Sequence, residues 1–343
     1  MRIKLEKKVS TSLRSRALIP IEALAATLIV SSIFVAAAGA DPIQAYAAIF
    51  QGAFGDTLAQ TELLVRMAPL VRTGLAVAVA FRGKFWNIGA EGQLFLGAML
   101  ATAVGLYVDA PAVIHIPLFI VAAFIGGALT ILPAAYLKLK LKADEVVTTL
   151  MLNFIIALLV SATLEGPWRD PVTKWPQSPS LPSSARYPIL LPDSRLHLGI
   201  VVAFGLAALA YFIMEFTRLG FDIKAVGSNP EASQLSGISV VRTILKACII
   251  SGGLAGVAGA GEVAGIHYHM IAEISPGYGY TGIVIATLGY LHPLGVLLAA
   301  LFFAAIINGS FIMSRELVVP TFLSDVVQGL ALIFMLVFLF FGQ

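Results

Sequence analysis

A chain of 343 residues that is 59% hydrophobic, only 12% charged and +0.92 in mean hydropathy is excluded from the ordinary soluble domains, which are about 45–50% apolar and about 25% charged. The composition reads as an all-α polytopic membrane protein forming one transmembrane domain over 1–343. A net charge of +3 gives no footing for a nucleic-acid partner, and one cysteine, Cys248 inside an apolar run, excludes an intrachain disulfide.

Residues 1–16 carry Arg2, Lys4, Lys7, Lys8, Arg14 and Arg16 against one acid, Glu6. The apolar run 17–38 that follows exceeds a signal h-region of about 7–15 residues and suffices for a span of about 20. We expect an uncleaved first span with a cytosolic N-terminus. Residues 41–62 lack Lys and Arg and are expected outside, broken into short pieces by Pro42, Gly52 and Gly55. Span 2 covers 63–81 and carries Arg66 and Arg72. Residues 82–91 form a Gly-punctuated cytosolic or re-entrant turn. Span 3 covers 92–108, an external loop 109–116, and span 4 covers 117–137. Lys138, Lys140 and Lys142 mark a cytosolic loop, and Asp144 caps span 5 at 146–164. The Pro-, Ser- and Trp-rich loop 165–197 is expected outside. Span 6 at 198–214 leads into a polar cytosolic segment, 215–242. Span 7 at 243–265, an external segment 266–278, and spans 8 (279–291), 9 (293–311) and 10 (320–341) complete the chain, with Arg315 in a brief external turn and the C-terminus cytosolic.

Of the 22 Lys and Arg, only Arg169, Lys174, Arg186, Arg195 and Arg315 fall in segments placed outside, and Arg66, Arg72 and Lys246 fall in spans. That asymmetry is the positive-inside pattern. Ten spans make about five per half, and an odd number per half inverts the second half. One echo fits an inverted repeat: Asn87-Ile88-Gly89-Ala90-Glu91-Gly92-Gln93 follows span 2, and Ser275-Pro276-Gly277-Tyr278-Gly279-Tyr280-Thr281-Gly282 follows span 7. Gly-interrupted segments at matching places in two halves point to a transport pathway.

Ionisable groups in a membrane are costly and face a cavity or a partner. Arg66, Arg72, Glu262 and Asp325 fall in that class, and Glu62 and Arg66, four apart, can pair on one helix face. Glu262 follows a stripe of small residues, Gly252, Gly253, Gly256, Gly259 and Gly261, that lets helices approach closely; packing accounts for the glycines and leaves the carboxylate unaccounted for. Asn87, Glu91 and Gln93 form a polar cluster beside Phe85 and Trp86. It suits either a polar, ring-bearing solute or the cap of span 3. Asn153 and Asn308 suit interhelical hydrogen bonds or a solute path. His267 and His269 flank Tyr268 with no third ligand, so an aromatic–imidazole cluster is expected rather than a metal site. A phosphate loop needs Gly-x-x-x-x-Gly-Lys before Ser or Thr. Here Gly83-Lys84 is followed by Phe85, so any ATP that drives the protein is bound by another chain and no cofactor is expected in this one.

In the segment 218–242, Asn229 is a good N-cap, Pro230 suits the first helical position, and Glu231 favours the positive end of the helix dipole. Ala232 to Ser236 continue a short helix that Gly237 closes. This reads as a surface helix with Gly227 and Ser228 before it and Leu235 on it, either a solvated turn or a contact for a cytosolic partner.

Three stretches, FWNIGAEGQLFLGAMLA, ADEVVTTLMLN and KAVGSNPEASQLSGI, resemble the permease subunits of bacterial ABC importers for nucleosides, within the ribose and branched-chain amino acid permease group. Gly166-Pro167-Trp168-Arg169-Asp170-Pro171 looks like the larger of the two permeases such systems often use. The resemblance implies the bacterial cytoplasmic membrane, a second homologous permease, a cytosolic ATPase and an external solute-binding protein. It also implies that Gly227, Ser228, Asn229, Pro230, Glu231, Ala232, Leu235 and Gly237 belong to a coupling helix. Asn87, Glu91, Gln93, Asn153, Glu262, Tyr278 and Tyr280 are the residues expected along the path. An ion- or proton-coupled secondary transporter is the alternative, since Glu262 and an inverted repeat would serve it equally, but it needs no docking helix.

Overall fold

The computed structural model describes residues 13–317, 320 and 322–341; the basic stretch 1–12 lies outside them. Among the described residues the chain is helical, with only isolated bridges in place of strands. Two compact units share it: 1–60 with 305–343, and 61–304.

In the first unit, α1 (Leu13–Ala37) and α2 (Pro42–Phe54) meet at a bend of 111°. Residues 42–54, expected in short pieces, are one continuous helix. Asp41 caps it, its Oδ1 accepting from the Ile43 and Gln44 amides at 2.7 and 3.3 Å, and Pro42 occupies the first turn, where its missing N–H is no loss. Gly52 does not break the helix; it lies against the Gly309 Cα and the Ile312 side chain of α12 (Pro293–Leu317). Asn308 of α12 donates to the Gly52 and Ala59 carbonyls at 2.8 and 3.1 Å. Arg315, expected in a turn, sits in the last turn of α12. α13 (Leu323–Phe341) packs on α1, and Asp325 is exposed in its first turn.

In the second unit, α3 (Thr57–Arg82) is surrounded, with 89% of its apolar window buried. α4 (Ala90–Tyr107), α5 (Ala112–Leu141) and α10 (Val240–Glu262) pack together. Their glycines bring backbone against backbone. A Cβ added at Gly127 would strike the Gly252 carbonyl, and one at Gly256 would strike Ala123 and Gly127. This is the close approach that small residues allow between apolar helices. α6 (Glu145–Glu165) and α7 (Gly199–Phe216) present their apolar faces outward, with only 22% and 33% of their windows buried. A membrane or a second subunit is the natural cover for such faces.

The polar segment after α7 holds two helices, α8 (Arg218–Ser228) and α9 (Pro230–Leu235). The first, α8, is not anticipated by the sequence, where 218–228 reads only as the polar stretch ahead of the short helix. After α10 the backbone widens into one turn of π-helix, Val263–His267, and α11 (Tyr278–Leu288) follows a loop. At about 1.5 Å per residue, the 11 residues of α11 reach about half the roughly 30 Å of a bilayer core. Among the described residues, six helices can cross a membrane by length and apolarity, or seven with the bent α1–α2 pair.

Candidate functional site: the junction of two broken segments

Between α3 and α4 the chain has no regular structure over 85–88, so its backbone groups need other partners. α6 supplies them from one face, at positions four residues apart. Glu145 Oε1 accepts from the Trp86 amide at 3.4 Å, Thr149 Oγ1 from Ile88 at 3.2 Å, and Asn153 Oδ1 from Gly92 at 2.8 Å. Asn153 Nδ2 returns a bond to the Ile88 carbonyl at 3.0 Å. Lys138 pairs with Glu145, donates to the Lys84 carbonyl at 3.1 Å and lies 5.3 Å from the Phe85 ring centre. Two of the three motifs quoted above are therefore one structure: the polar stripe of ADEVVTTLMLN satisfies the broken backbone of FWNIGAEG. Glu145, Thr149 and Asn153 at i, i+4 and i+8 of an otherwise apolar helix were the legible signal, and only Asn153 was singled out.

Asn87 and Gln93 form a reciprocal amide pair at 2.9 and 2.8 Å, and Asn87 also donates to Ser251 of α10 at 2.9 Å. Ser251 Oγ in turn donates to the Ala76 carbonyl of α3 at 2.6 Å. Glu91 faces the second broken segment. Its Oε2 accepts from the Gly279 amide in the first turn of α11 at 2.6 Å, with further bonds from Ser275 and Gly277. A carboxylate at that end of a helix is favoured by its dipole. A side chain at Gly279 would collide with the Glu91 backbone, so the two echoing segments touch. Tyr280 accepts from Asn153 at 3.2 Å. Asn87, Glu91, Gln93 and Asn153 thus converge on one buried junction, with Tyr280 at its exposed edge.

Tyr278 and Glu262 are buried beside it in a charged cluster. Glu262 lies within electrostatic reach of Arg72, Arg66 and Arg195, and Tyr278 within reach of Glu262 and Glu91. Arg72 is fully buried. It donates to the Ala68 and Val257 carbonyls at 3.0 and 2.9 Å, and its Nη2 has no hydrogen-bond partner. Glu62 accepts from both nitrogens of the Arg195 fork, with Nε at 2.8 Å. The fork geometry of a bidentate arginine ties the long loop to α3.

That loop is pinned to the end of α10. The Ser178, Leu181 and Tyr187 amides donate to Met270, Tyr268 and Ala264 at 2.9, 2.7 and 2.9 Å, and Arg186 lies 4.8 Å over the Tyr268 ring. His197 rests against Gly265 of the π-turn and accepts from the Gly199 amide through Nδ1 at 3.0 Å. Burial, then Arg72 and Arg195, hold its pKa down to about 4, so the imidazole is neutral at pH 7. Since the folded form resists protonation, its contribution to stability is present above the ordinary histidine pKa near 6.5 and is lost as pH falls toward 4. Ring centres of His267 and His269 lie 6.5 Å apart, edge to face, and no metal-ligand cluster occurs among the described residues.

At the other end, Asn229 Oδ1 accepts from the Ala232 amide at 3.0 Å and Pro230 opens α9. Gly237, at φ +81°, turns the chain out, a conformation glycine adopts without strain. α9 ends at Leu235 with Ser236 as its cap, and Leu235 is 91% exposed. A Cβ at Gly227 would collide with the Arg82 carbonyl, so α8 sits directly on the end of α3. Arg82 donates to the Leu291 carbonyl at 3.1 Å, and Lys224 of α8 pairs with Glu215 of α7 at 2.7 Å.

The family described as branched-chain amino acid transport system, permease component, matches residues 60–336. The chain belongs to that family. The glucose ABC transporter permease protein TsgB13 of Haloferax volcanii is 35% identical over 334 residues, 94% of this chain and 88% of that one. The guanosine ABC transporter permease protein NupP of Bacillus subtilis is 35% identical over 93% of each. The nucleoside ABC transporter permease protein NupB of Lactococcus lactis is 31% identical over 89% of this chain and 86% of its own. The chain is a permease subunit of an ABC importer in the cytoplasmic membrane. Members of the family are not themselves enzymes: ATP is hydrolysed by a separate subunit, and a substrate-binding protein delivers the solute. The secondary-transporter alternative falls with that assignment.

Proposed function

We propose that this permease, paired with a second homologous permease, forms the path for a nucleoside or similar ring-bearing polar solute. The observation that carries the reading is that relatives named for guanosine, nucleosides and glucose match it at similar identity over nearly the whole chain. A nucleoside and a hexose share a sugar ring with adjacent hydroxyls, and amides and carboxylates suit those groups. Asn87, Glu91, Gln93, Asn153, Glu262, Tyr278 and Tyr280 lie along the path. α9 with Gly227, Ser228 and Gly237 is the ATPase contact, and no cofactor belongs to this chain. The permease works as one domain of ten spans: α1, α3, α4, α5 and α6, then α7, α10, α11, α12 and α13 inverted. The contact between Glu91 and Gly279 supports that symmetry, since it joins corresponding breaks in the two halves.

The test is uptake by the whole importer in proteoliposomes with guanosine, free guanine and glucose. Uptake of the nucleoside or the hexose is expected, with the free base excluded; transport of guanine alone would reject the sugar-ring reading. In the same assay Glu91→Gln or Gln93→Ala is expected to lower uptake about tenfold, because each loses one charge-assisted or buried bond of about 1–3 kcal/mol, while the complex still assembles. Normal transport by both variants would leave the junction as scaffolding only.

The proposed orientation places 1–16, 215–242 and the C-terminus in the cytosol and 165–197 outside. Ser178 is buried, so a thiol there would be silent. Val172 is 85% exposed and Leu235 91% exposed. In a Cys248→Ala background, a cysteine at 172 is expected to react with an impermeant reagent on intact cells, and one at 235 only after lysis. The reverse pattern would invert the topology.

A further inference from the structure

Three cations meet at a place the transport path does not use. Arg218 at the start of α8 and Arg242 and Lys246 in the first two turns of α10 line one cavity of about 310 Å³, in which Asp222 is the only acid. All three are exposed, and none takes part in an ion pair or hydrogen bond among the described residues. Lys224 of the same α8 is by contrast matched by Glu215. The cavity has a second electropositive element. Ser239 stands at the N-cap of α10 without a side-chain cap bond and borders the cavity, so the first amides of that helix lack a side-chain acceptor.

The surroundings say what kind of anion fits. Arg242, Lys246 and Ile249 fall on one face of α10 by helical spacing, and Ile249 is 37% exposed, as is Val241 at 47% beside Arg242. The cations therefore stand beside a short exposed apolar strip, Val241 and Ile249, in the first turns of a spanning helix. An acyl chain would lie along such a stripe and a phosphate would lie at its polar end. Basic pockets between helices at the cytoplasmic surface hold anionic headgroups by this arrangement, each Lys or Arg contributing about 1 kcal/mol. A lysine one turn inside the helix reaches the headgroup level by extending its stem.

We propose that the Arg218–Arg242–Lys246 cavity binds the phosphate of an anionic phospholipid, seated where α8 leaves the end of α7 and packs against the start of α10. The leaflet, the cytosolic one, rests on the orientation proposed above; the site itself does not. A lipid held there braces α8 against α10, beside the elements proposed to meet the ATPase.

The test uses the importer purified with its partner subunits and examined by native mass spectrometry after addition of phosphatidylglycerol or phosphatidylcholine. Wild type is expected to retain phosphatidylglycerol and not phosphatidylcholine. Arg242→Gln with Lys246→Gln is expected to cut that retention by more than about tenfold, as two lost cations imply. Arg218→Gln alone should produce a smaller loss. Lys140→Gln with Lys142→Asn, which removes the same charge elsewhere, should retain the lipid as wild type does. Equal retention by the α10 double variant, or equal retention of both lipids, would overturn the proposal. Millimolar inorganic phosphate displacing the lipid headgroup from wild type would reassign the cavity to free anions. Loss of the ATPase subunit with lipid still bound would reassign it to the protein interface.

Discussion

Gly256→Val is expected to abolish accumulation of the folded permease. Gly256 lies where α10 crosses α4 and α5, and even a Cβ there would meet the Ala123 carbonyl, the Gly127 amide and the Gly127 Cα. These are backbone atoms and cannot rotate aside. Overpacking a core typically costs about 1–3 kcal/mol, and more where nothing can yield. Here two helices must separate, and the other glycine contacts of the same seam, Gly97 on Gly256 and Gly127 on Gly252, open with them. Against a net stability of about 5–15 kcal/mol, loss of that seam is decisive. The measurement is the yield of monodisperse protein in detergent and its thermal unfolding midpoint. Gly205→Ala in α7 is the control, because an added Cβ there meets nothing within 4 Å and alanine is the better helix former. A Gly256→Val protein that accumulates and melts with wild type would show that the three helices do not pack as described.

The seam also marks how far the sequence could be read. The run Gly252, Gly253, Gly256, Gly259, Gly261 is legible as a packing stripe because small residues in an apolar helix have few other uses. The partners, Gly97 on α4 and Ala123 and Gly127 on α5, are not legible, since spacing within one helix carries no information about which neighbour it meets. The same limit hid the role of Glu145 and Thr149. Their spacing with Asn153 was visible, yet the broken backbone they satisfy lies about 60 residues earlier. Arg195 on Glu62 is a further case, a fork from a loop 133 residues away that no local spacing announces. α9 was legible because Asn229, Pro230 and Gly237 act through bonds to their own neighbours. Helices ending in capping residues are written locally; junctions are not.

α9, proposed above as the ATPase contact, is where that local legibility would bear on transport. Asn229→Ala with Glu231→Lys is expected to leave the permease inserted while ATPase association weakens and uptake stops. Removing the Asn229 cap costs about 0.5–2 kcal/mol. That is small for the membrane fold, whose helices are packed elsewhere, but a docking equilibrium changes tenfold for each 1.4 kcal/mol. Glu231 lies in the first turn of α9, and reversing its charge adds repulsion to any basic group of the ATPase that it meets. Leu235, 91% exposed, supplies the apolar contact that such a helix would bury. The push has a route inward: α8 rests through Gly227 on the Arg82 carbonyl, and Arg82 holds the Leu291 carbonyl in the turn after α11. Tyr290 and Leu291 both sit at positive φ, +53° and +55°, which non-glycine residues adopt at a cost and only where neighbours hold them. Arg82 is one such hold, so under the proposed coupling a push on α8 would be passed to the short helix whose other end Glu91 caps. Purification of the double variant with its partners, followed by co-purification and solute-stimulated ATP hydrolysis, reads the effect. Wild-type values for both would make α9 an ordinary turn and move the ATPase contact to another cytosolic segment, with the loop at Lys138, Lys140 and Lys142 the next place to test.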